Sequence, residues 1–416
     1  MVDGRKKIVI VGAGFGGLAA ARSLAALPAE LLVVDARNHH TFQPLLYQVA
    51  TAGLDGDDVC YPVRAIFGRQ RNASVLMGEV SGGDLDRRRL ELAGGGSVDY
   101  DELILATGAV DNSFGIPGVD EHAFGLKSLS EALKLRSHIL RRFEEADAHP
   151  ELVDEGLLTV VIVGGGPTGV ELAGGMAELF DRSLRRDFPR LDLGRARVVL
   201  VEAADRLLRS FSPASSESAR RALERRGVEL LLNRGVAELG ADFLRLADGK
   251  LIKTRTMVWA AGVRAHPLAA RLGLETGRGG RALVDARLCV PGRPEIHVVG
   301  DSAAALAPDG SLLPQVAPVA IQAASYTARL IAARMRGAEL EPFVYVDRGS
   351  MATIGRRCAV AELPGGLKFR GSLGWFAWLL LHLVMLIGFR NRANVLINWA
   401  WNYLTYDRAS RIIVED

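Results

Sequence analysis

The chain lacks the features that would assign it at once to several large classes. Only three cysteines occur in 416 residues, at 60, 289 and 358. They are far apart and form no CxxC pair, which excludes a disulfide framework and a zinc pattern and fits a reducing compartment. Excess charge of one sign is equally scarce. The 51 basic and 48 acidic side chains leave a net +3, too little for a global electrostatic mode of nucleic-acid binding, so no nucleic acid is expected as a partner. The opening MVDGRKK runs straight into an apolar strand with no room for a leader's charged and hydrophobic regions, so no secretory signal is expected. What the chain has in quantity is apolar content, 49%. That is enough core for two domains of ordinary size with an appendage.

The informative pattern is a repeated one. Val160 to Gly175 reads VVIVGGGPTGVELAGG, an apolar strand, then Gly164, Gly166 and Gly169, then a helix start. A buried parallel strand feeding such a turn sets a helix N-terminus against a pyrophosphate. The same register occurs at Ile8 to Gly17, IVIVGAGFGG, with Gly12, Gly14 and Gly17. Two such sites in one chain imply two dinucleotides. After the first, a strand at 31–34 ends in Asp35, 23 residues beyond Gly12, where an acid would hold the ribose hydroxyls of an adenosine. A turn-capping role is the alternative for Asp35. After the second, the strand at 198–201 ends in Glu202. A glutamate there accepts from both ribose hydroxyls and repels a 2′-phosphate, which favours NADH over NADPH, although Arg206 lies close in sequence.

Between these landmarks, residues 74–105 read as a β-meander and 129–147 as a polar helix, and a long helical region runs from the second glycine turn to about Phe188. Residues 38–54, NHHTFQPLLYQVATAGL, show neither a helical nor a strand period. No third histidine or carboxylate clusters with His39 and His40, so no metal is expected.

That run is similar to the NHHxFQPLLYQVAT segment of the type II NADH:quinone oxidoreductases, single-subunit, non-pumping flavoproteins of the two-dinucleotide clan. The resemblance extends over nearly the whole chain, to the ending WNYLTYDRASRII. It implies an α/β chain of two Rossmann-type dinucleotide-binding domains, for FAD and NADH, with a C-terminal membrane-associating helical segment. Expected boundaries are 1–118 and 273–340 for the FAD domain, 119–272 for the NADH domain and 341–416 for the C-terminal region. FAD would be non-covalent. It implies FAD contacts at Asn38, His39 and Val80, with Thr107 and Gly108 of the ATG turn close to the cofactor. Asp301, closing the VVGD strand end, is placed to hold the ribitol, a helix cap being its alternative. The AAGV turn, with Ala261 and Gly262, would lie along the nicotinamide.

Residues 313–324, LPQVAPVAIQAA, resemble the family's quinone signature AQxAxQ. Ala317, Ala320 and Gln322 match, Ile321 lies between the last two, and Ala320 and Ile321 are expected beside FAD. Pro318 replaces the first glutamine, removing an amide and a backbone donor. Gln322 is then the remaining amide for a quinone carbonyl, or else a helix-start residue packed beneath the flavin. Glu171, in the GxTGVELAG motif, is the expected proton relay or ligand-binding acid near the flavin. The competing account puts it in a helix first turn, where it simply favours the macrodipole.

The end of the chain differs in character. Residues 371–389 carry no charge and are bracketed by Arg370, Arg390 and Arg392. A helix of nineteen residues would rise roughly 28 Å, barely the hydrocarbon thickness. A second amphipathic stretch, 393–406, follows. Four of the five tryptophans lie at 375, 378, 399 and 401, and from 348 to 411 nine basic residues face two acids. Aromatic and arginine flanks suit a headgroup boundary. Monotopic attachment is therefore expected, ahead of a span or a buried core or dimer helix; the resemblance implies the cytoplasmic face of the inner membrane, and a homodimer through this region is a family-level expectation. Ubiquinone and menaquinone both remain open as acceptor. The competing functions are a sulfide:quinone or ferredoxin reductase of the same clan, or a non-enzymatic membrane flavoprotein sensing NADH. The cysteines suit neither disulfide reductases nor sulfide oxidation.

Overall fold

The computed structural model describes residues 5–405 and 410–414. Residues 406–409 of the expected ending therefore lie outside the described residues, as does the MVDG of the opening. The chain divides into two compact units. The first comprises the described residues up to His40 with Tyr61–Val110 and Val263–Asp347. The second comprises Thr41–Cys60, Asp111–Gly262 and the described residues from Arg348 onward.

Along the chain, β1 (Lys6–Val11) leads through the first glycine turn into α1 (Phe15–Ser23) and β2 (Ala29–Asp35). The run 38–54 is not irregular throughout, as its lack of period suggests. Gln43–Leu45 form a 3-10 turn and Leu46–Ala50 a short helix, α2; five residues are too few for a period to show. β3 (Ala73–Met77) pairs parallel with β2, so it belongs to the main sheet. The meander is confined to Val80–Asp84, Arg89–Leu92 and Ser97–Asp99, before β4 (Glu102–Leu105) returns beside β1. Then come β5 (Ala123–Phe124), α3 (Leu129–Ala148), β6 (Thr159–Val163), α4 (Pro167–Glu178), β7 (Arg197–Glu202), α5 (Pro213–Glu224), β8 (Glu229–Leu232) and β9 (Thr256–Trp259). The chain re-enters the first unit through β10 (Cys289–Val290), β11 (Arg293–Val298) and α6 (Ala317–Met335). It ends in the second with β12 (Ser350–Gly355), β13 (Cys358–Glu362), β14 (Lys368–Arg370), α7 (Gly371–Met385) and α8 (Phe389–Thr405).

In the first unit the sheet order is β10-β11-β4-β1-β2-β3, parallel except at β10. The central strands are buried on both faces, which is why they read as unbroken Val, Ile and Leu rather than as alternation. Small residues on α1 let it pack against α6. In the second unit the order β5-β9-β6-β7-β8 is wholly parallel. A second meander closes its face, placing Leu244, Leu246 and Ile252 against Val161, Val163, Val199 and Val201.

The apolar stretch 371–389 is not one helix. α7 has fifteen residues and stops at Leu386, whose backbone is extended, and Gly388 takes φ +90° before α8 begins. Fifteen residues rise roughly 22 Å, and no helix among the described residues is long and apolar enough to cross a membrane. Both helices are two-sided. Trp378 and Val395 are buried, while Leu373 is 70%, Phe389 87% and Leu404 77% exposed, in rows with Phe376, Leu380, Val384, Leu396, Ile397 and Trp401.

Candidate functional site

The two glycine turns repeat one geometry, each within its own unit. Gly12 has φ +103° and Gly164 φ +114°. A Cβ on Gly12 would lie 2.4 Å from the carbonyl of Ala106, and one on Gly164 2.3 Å from that of Ala260. These carbonyls open the ATG and AAGV turns, so each first glycine lies against one of these turns in its own unit. A Cβ on Gly17 would collide with the carbonyl of Gly12, and one on Gly169 with that of Gly164, because strand and helix approach too closely for any side chain. The middle glycines behave differently. Gly14 and Gly166 cap α1 and α4 with extended backbones, and a Cβ on either would meet nothing within 4 Å. The structure thus keeps clear space in front of two helix N-termini, the shape a pyrophosphate fills.

The two acids are held in matching ways. Asp35 accepts from Ala13 N (2.6 Å) and Arg37 N (2.8 Å). Glu202 accepts from Gly165 N (2.5 Å) and Ala204 N (2.7 Å). Each carboxylate is therefore fixed beside its loop by backbone donors. Gly165, absent from the sequence-level candidates, makes room for the longer acid: its Cβ would lie 2.9 Å from Glu202 Oε2 and 2.8 Å from Leu207.

Other first-unit candidates surround the first turn. His39 Nδ1 lies 2.9 Å from Asn38 Oδ1, while buried His39 Nε2 meets no hydrogen-bond partner among the described residues. His40, not among the candidates, is nearly fully buried; its Nδ1 is 2.9 Å from the Ala13 carbonyl and its Nε2 is also unmatched. Burial holds both histidines below the usual imidazole range. Two buried ring nitrogens with no partner among the described residues fit a site that a ligand completes. Val80 is buried at the head of its meander strand. Thr107 Oγ1 is 2.8 Å from Ser302 Oγ, which donates to the Gly108 carbonyl. Asp301 sits in the 3-10 turn Gly300–Ser302; Gln315 donates to its carbonyl, and buried Arg281 is near enough for charge interaction. Gly300, at φ +68°, faces Ala320, beside Ile321 in the first turns of α6. Ser302, Gln315 and Arg281 carried no motif that would have found them.

Gln322 is engaged at both ends of its amide. Nε2 donates to the Val346 carbonyl at 2.9 Å and Oε1 accepts from Val346 N at 3.0 Å. This pair ties α6 to the segment leaving the unit.

Within the second unit, Phe114 approaches Gly262, whose carbonyl accepts from Asn112 N, while Trp259 Nε1 donates to the Asn112 carbonyl. That network fixes the AAGV turn holding Ala261. Glu171 does not lie in a first turn. α4 begins at Pro167 and has no acid in its first turn, so the dipole no longer accounts for this residue. Its side chain is buried, 8% exposed, and Oε1 accepts from Thr353 N of β12 at 3.2 Å. Burial pushes its carboxyl up to about 8, against the opposing pull of the Thr353 N–H and of Trp378. Among the described residues Trp378 Nε1 is outside hydrogen-bonding geometry with any acceptor, yet near enough to influence the carboxyl. Gly174 and Gly175 explain the close packing. A Cβ on Gly174 would lie 2.3 Å from the Ile354 carbonyl, and one on Gly175 3.0 Å from Thr51.

Thr353 and Trp378 also line a chamber of about 120 Å³, walled by Tyr47, Trp375, Trp399 and Tyr403. Trp399 Nε1 donates to Gln48, which donates to the Tyr47 hydroxyl. His382 stacks on Trp378 at 4.0 Å. Glu171 thus stands directly behind an aromatic wall. No disulfide joins any of the three cysteines, and Cys289 is buried.

Comparison with known proteins matches these features. Residues 6–324 match the pyridine nucleotide-disulphide oxidoreductase family and residues 348–406 the NDH2 C-terminal domain. The type II NADH:quinone oxidoreductase Ndh of Mycobacterium tuberculosis is 39% identical, the alignment covering 99% of this chain and 91% of that protein. This chain belongs to the type II NADH:quinone oxidoreductases. It is an enzyme that uses a flavin to pass electrons from NADH to a quinone. A plant relative, the internal alternative NAD(P)H-ubiquinone oxidoreductase A1 of Arabidopsis thaliana, is 31% identical over 99% of this chain and 86% of its own length. The NDH2 structure from Plasmodium falciparum in complex with NADH has the same fold, with TM-score 0.90 at 19% identity, covering 99% of this chain and all of the other. The Aquifex aeolicus sulfide:quinone oxidoreductase also shares it, at TM-score 0.73 and 17% identity, covering 99% and 96%.

Proposed function

We propose that the flavin is FAD, bound without a covalent link by the first unit, and that NADH binds the second. The paired glycine cradles carry this reading: each leaves a cleared helix N-terminus beside an acid fixed by its own loop. Gly12, Gly14, Gly17 and Asp35 hold the adenosine half of FAD. Asn38, His39, Val80, Thr107, Gly108, Asp301, Ala320 and Ile321 enclose the remainder; the FAD domain is then the expected 1–118 and 273–340 without 41–60 and 111–118, which belong to the second unit. Gly164, Gly166, Gly169 and Glu202 hold NADH within 119–272, and Ala261 and Gly262 guide its nicotinamide end. Glu202 selects against a 2′-phosphate because its carboxylate occupies the place of the ribose hydroxyls' partner.

FAD, when bound, supplies acceptance of a hydride at N5 and release of electrons singly or in pairs. The overall reaction consumes NADH, a proton and quinone and yields NAD⁺ and quinol, so protons must be delivered on the acceptor side. Glu171 holds one at neutral pH, since burial keeps it protonated, and it can pass that proton by way of the aromatic chamber. The chamber admits a flat, apolar quinone ring. Gln322, with its amide already bonded, positions α6 rather than the quinone carbonyl.

The outward apolar rows of α7 and α8 support peripheral attachment of the 341–416 region to a bilayer, here assigned to the cytoplasmic face of the inner membrane. A homodimer is consistent with the same region and is assigned to it as a family expectation. An anaerobic titration tests the whole reading. NADH should bleach the bound flavin, ubiquinone or menaquinone should restore its colour within one turnover time, and acid should release FAD. Bleaching by NADH without reoxidation by either quinone overturns it.

A further inference from the structure

A cleft of about 670 Å³ in the second unit adjoins the aromatic chamber, sharing Tyr403 with it, but has a charged lining of its own. Arg182, Arg185, Arg225, Arg226, Arg356 and Arg357 line it, with only Glu178 and Asp181 in opposition. Asp181 pairs with Arg182 and Arg185, and Glu178 lies 3.6 Å from Arg226. Six guanidinium groups therefore surround a concave space with two carboxylates, an arrangement that focuses positive potential on whatever enters. The lining includes Ala196 and Val198, where β7 starts. Gly164 and Glu202 mark the other end of these strands, so the cleft is separate from the NADH cradle. Beyond α4, Leu179–Leu184 wind as a π-helix that places Phe180, Asp181 and Arg182 on this lining. Such widened turns recur at functional sites.

The cleft is joined to the outward helix. Tyr403 of α8 belongs to its lining, with the guanidinium carbons of Arg356 and Arg357 at 4.4 and 4.9 Å from its ring. Arg356 also donates to the Asn402 carbonyl at 2.6 Å. Two residues before Tyr403 and one after it, Trp401 and Leu404 expose apolar surface. Arginine forks match phosphate oxygens in pairs, and the neighbouring row of apolar side chains matches acyl chains.

We infer that this cleft holds the phosphate of an anionic phospholipid, with the acyl chains lying along α8, so that the enzyme reads lipid charge as well as lipid surface. The inference rests on the reading that α7 and α8 lie at a bilayer. A free inorganic or sugar phosphate would satisfy the arginines but leave the adjoining apolar row unused.

The test uses the flavin-loaded full chain in co-sedimentation with vesicles of phosphatidylcholine alone and of phosphatidylcholine with phosphatidylglycerol, at 0.15 M salt. Wild type is compared with Arg225→Gln/Arg357→Gln and with Arg69→Gln/Arg71→Gln, which removes equal charge from the first unit. Each arginine at an anionic surface is worth about fivefold in binding. The cleft variant should need about 25-fold more phosphatidylglycerol vesicles for half-binding, the control less than fivefold more, and phosphatidylcholine binding should not change. Equal losses in the two variants, or no preference for phosphatidylglycerol in wild type, overturn the inference. A rise in melting temperature with soluble glycerol 3-phosphate that the cleft variant abolishes, without any lipid preference, would assign the cleft to a free anion instead. If wild type binds neither kind of vesicle, the membrane reading itself fails. Turnover with a water-soluble quinone should be equal in all three proteins.

Discussion

Replacing Glu171 with Gln should stabilise the protein by an amount that grows with pH. In the folded chain its carboxyl titrates near 8, against an ordinary 4.5. Between those values the folded state keeps the proton and the unfolded state releases it. Stability therefore falls as pH rises, by about 1.4 kcal/mol per unit, and levels off above the folded value. From pH 5.5 to 7.5 this amounts to about 2.7 kcal/mol lost by the wild type and retained by the glutamine variant. Any pH-independent offset should be small, because the amide oxygen can still accept from Thr353 N. Urea unfolding of both proteins with flavin bound, at pH 5.5, 6.5, 7.5 and 8.5, gives the difference directly. Turnover is the second readout. With quinone saturating, the wild type should slow as pH passes 8 and the donor is lost, while the variant should be slower throughout and lack that limb. Parallel stability curves for the two proteins would refute the burial argument. A wild-type rate and pH limb in the variant would refute the proton role while leaving burial intact.

The cradles give a contrast within one loop. Gly164→Ala meets the Ala260 carbonyl at a positive φ and should lower stability by about 2 kcal/mol or more in thermal or urea unfolding. Gly166→Ala meets nothing in the protein, so stability should change by less than about 0.5 kcal/mol while the KM for NADH rises about tenfold or more; an unchanged KM would remove Gly166 from the pyrophosphate site. Glu202→Ala should lower the ratio of NADH to NADPH kcat/KM by about tenfold or more, the loss of hydrogen bonds and of charge repulsion each being worth about 1 kcal/mol or more. An unchanged ratio would clear Glu202 of selectivity. Leu380→Asp and Leu404→Asp, at exposed positions, should leave solution stability nearly intact. Each should weaken vesicle binding roughly thirtyfold, from about 2 kcal/mol of lost apolar burial; unchanged binding would place the bilayer elsewhere.

The sequence made the glycine loops, their strands and the two terminal acids legible, because backbone sterics restrict those positions to a few residue types and the doubly buried strands show as continuous apolar runs. What it concealed depends on contacts across long separations. His40 reaches back to Ala13, Ser302 to Thr107 and Gly108, and Gly165 is small because Glu202 lies 37 positions on. No period or spacing encodes such pairs. The aromatic chamber is harder still, since Tyr47 and Trp399 lie over 350 positions apart and meet through Gln48. The break between α7 and α8 did have a local signal. Gly388 stands two residues past the last apolar turn, where a left-handed residue commonly ends a helix, but an unbroken absence of charge outweighed it.

The helix α4 shows why one short motif can carry two duties. Its N-terminus needs Gly164 and Gly169 so that strand, turn and helix can close on one another, and these requirements end within the first turn. The residues after it are then free to answer to other neighbours. Gly174 and Gly175 bring the helix against β12 and α2, and that closeness strips water from Glu171. A bulkier residue at 174 would push β12 away and return solvent to the carboxyl, lowering its affinity for a proton toward the ordinary value. The ELAGG sequence is thus one physical unit in which the small residues set the ionisation of the acid. Gly174→Val should therefore mimic Glu171→Gln in turnover while showing the opposite effect on stability. If instead it left turnover and its pH limb untouched, close packing would not be what holds the proton on Glu171.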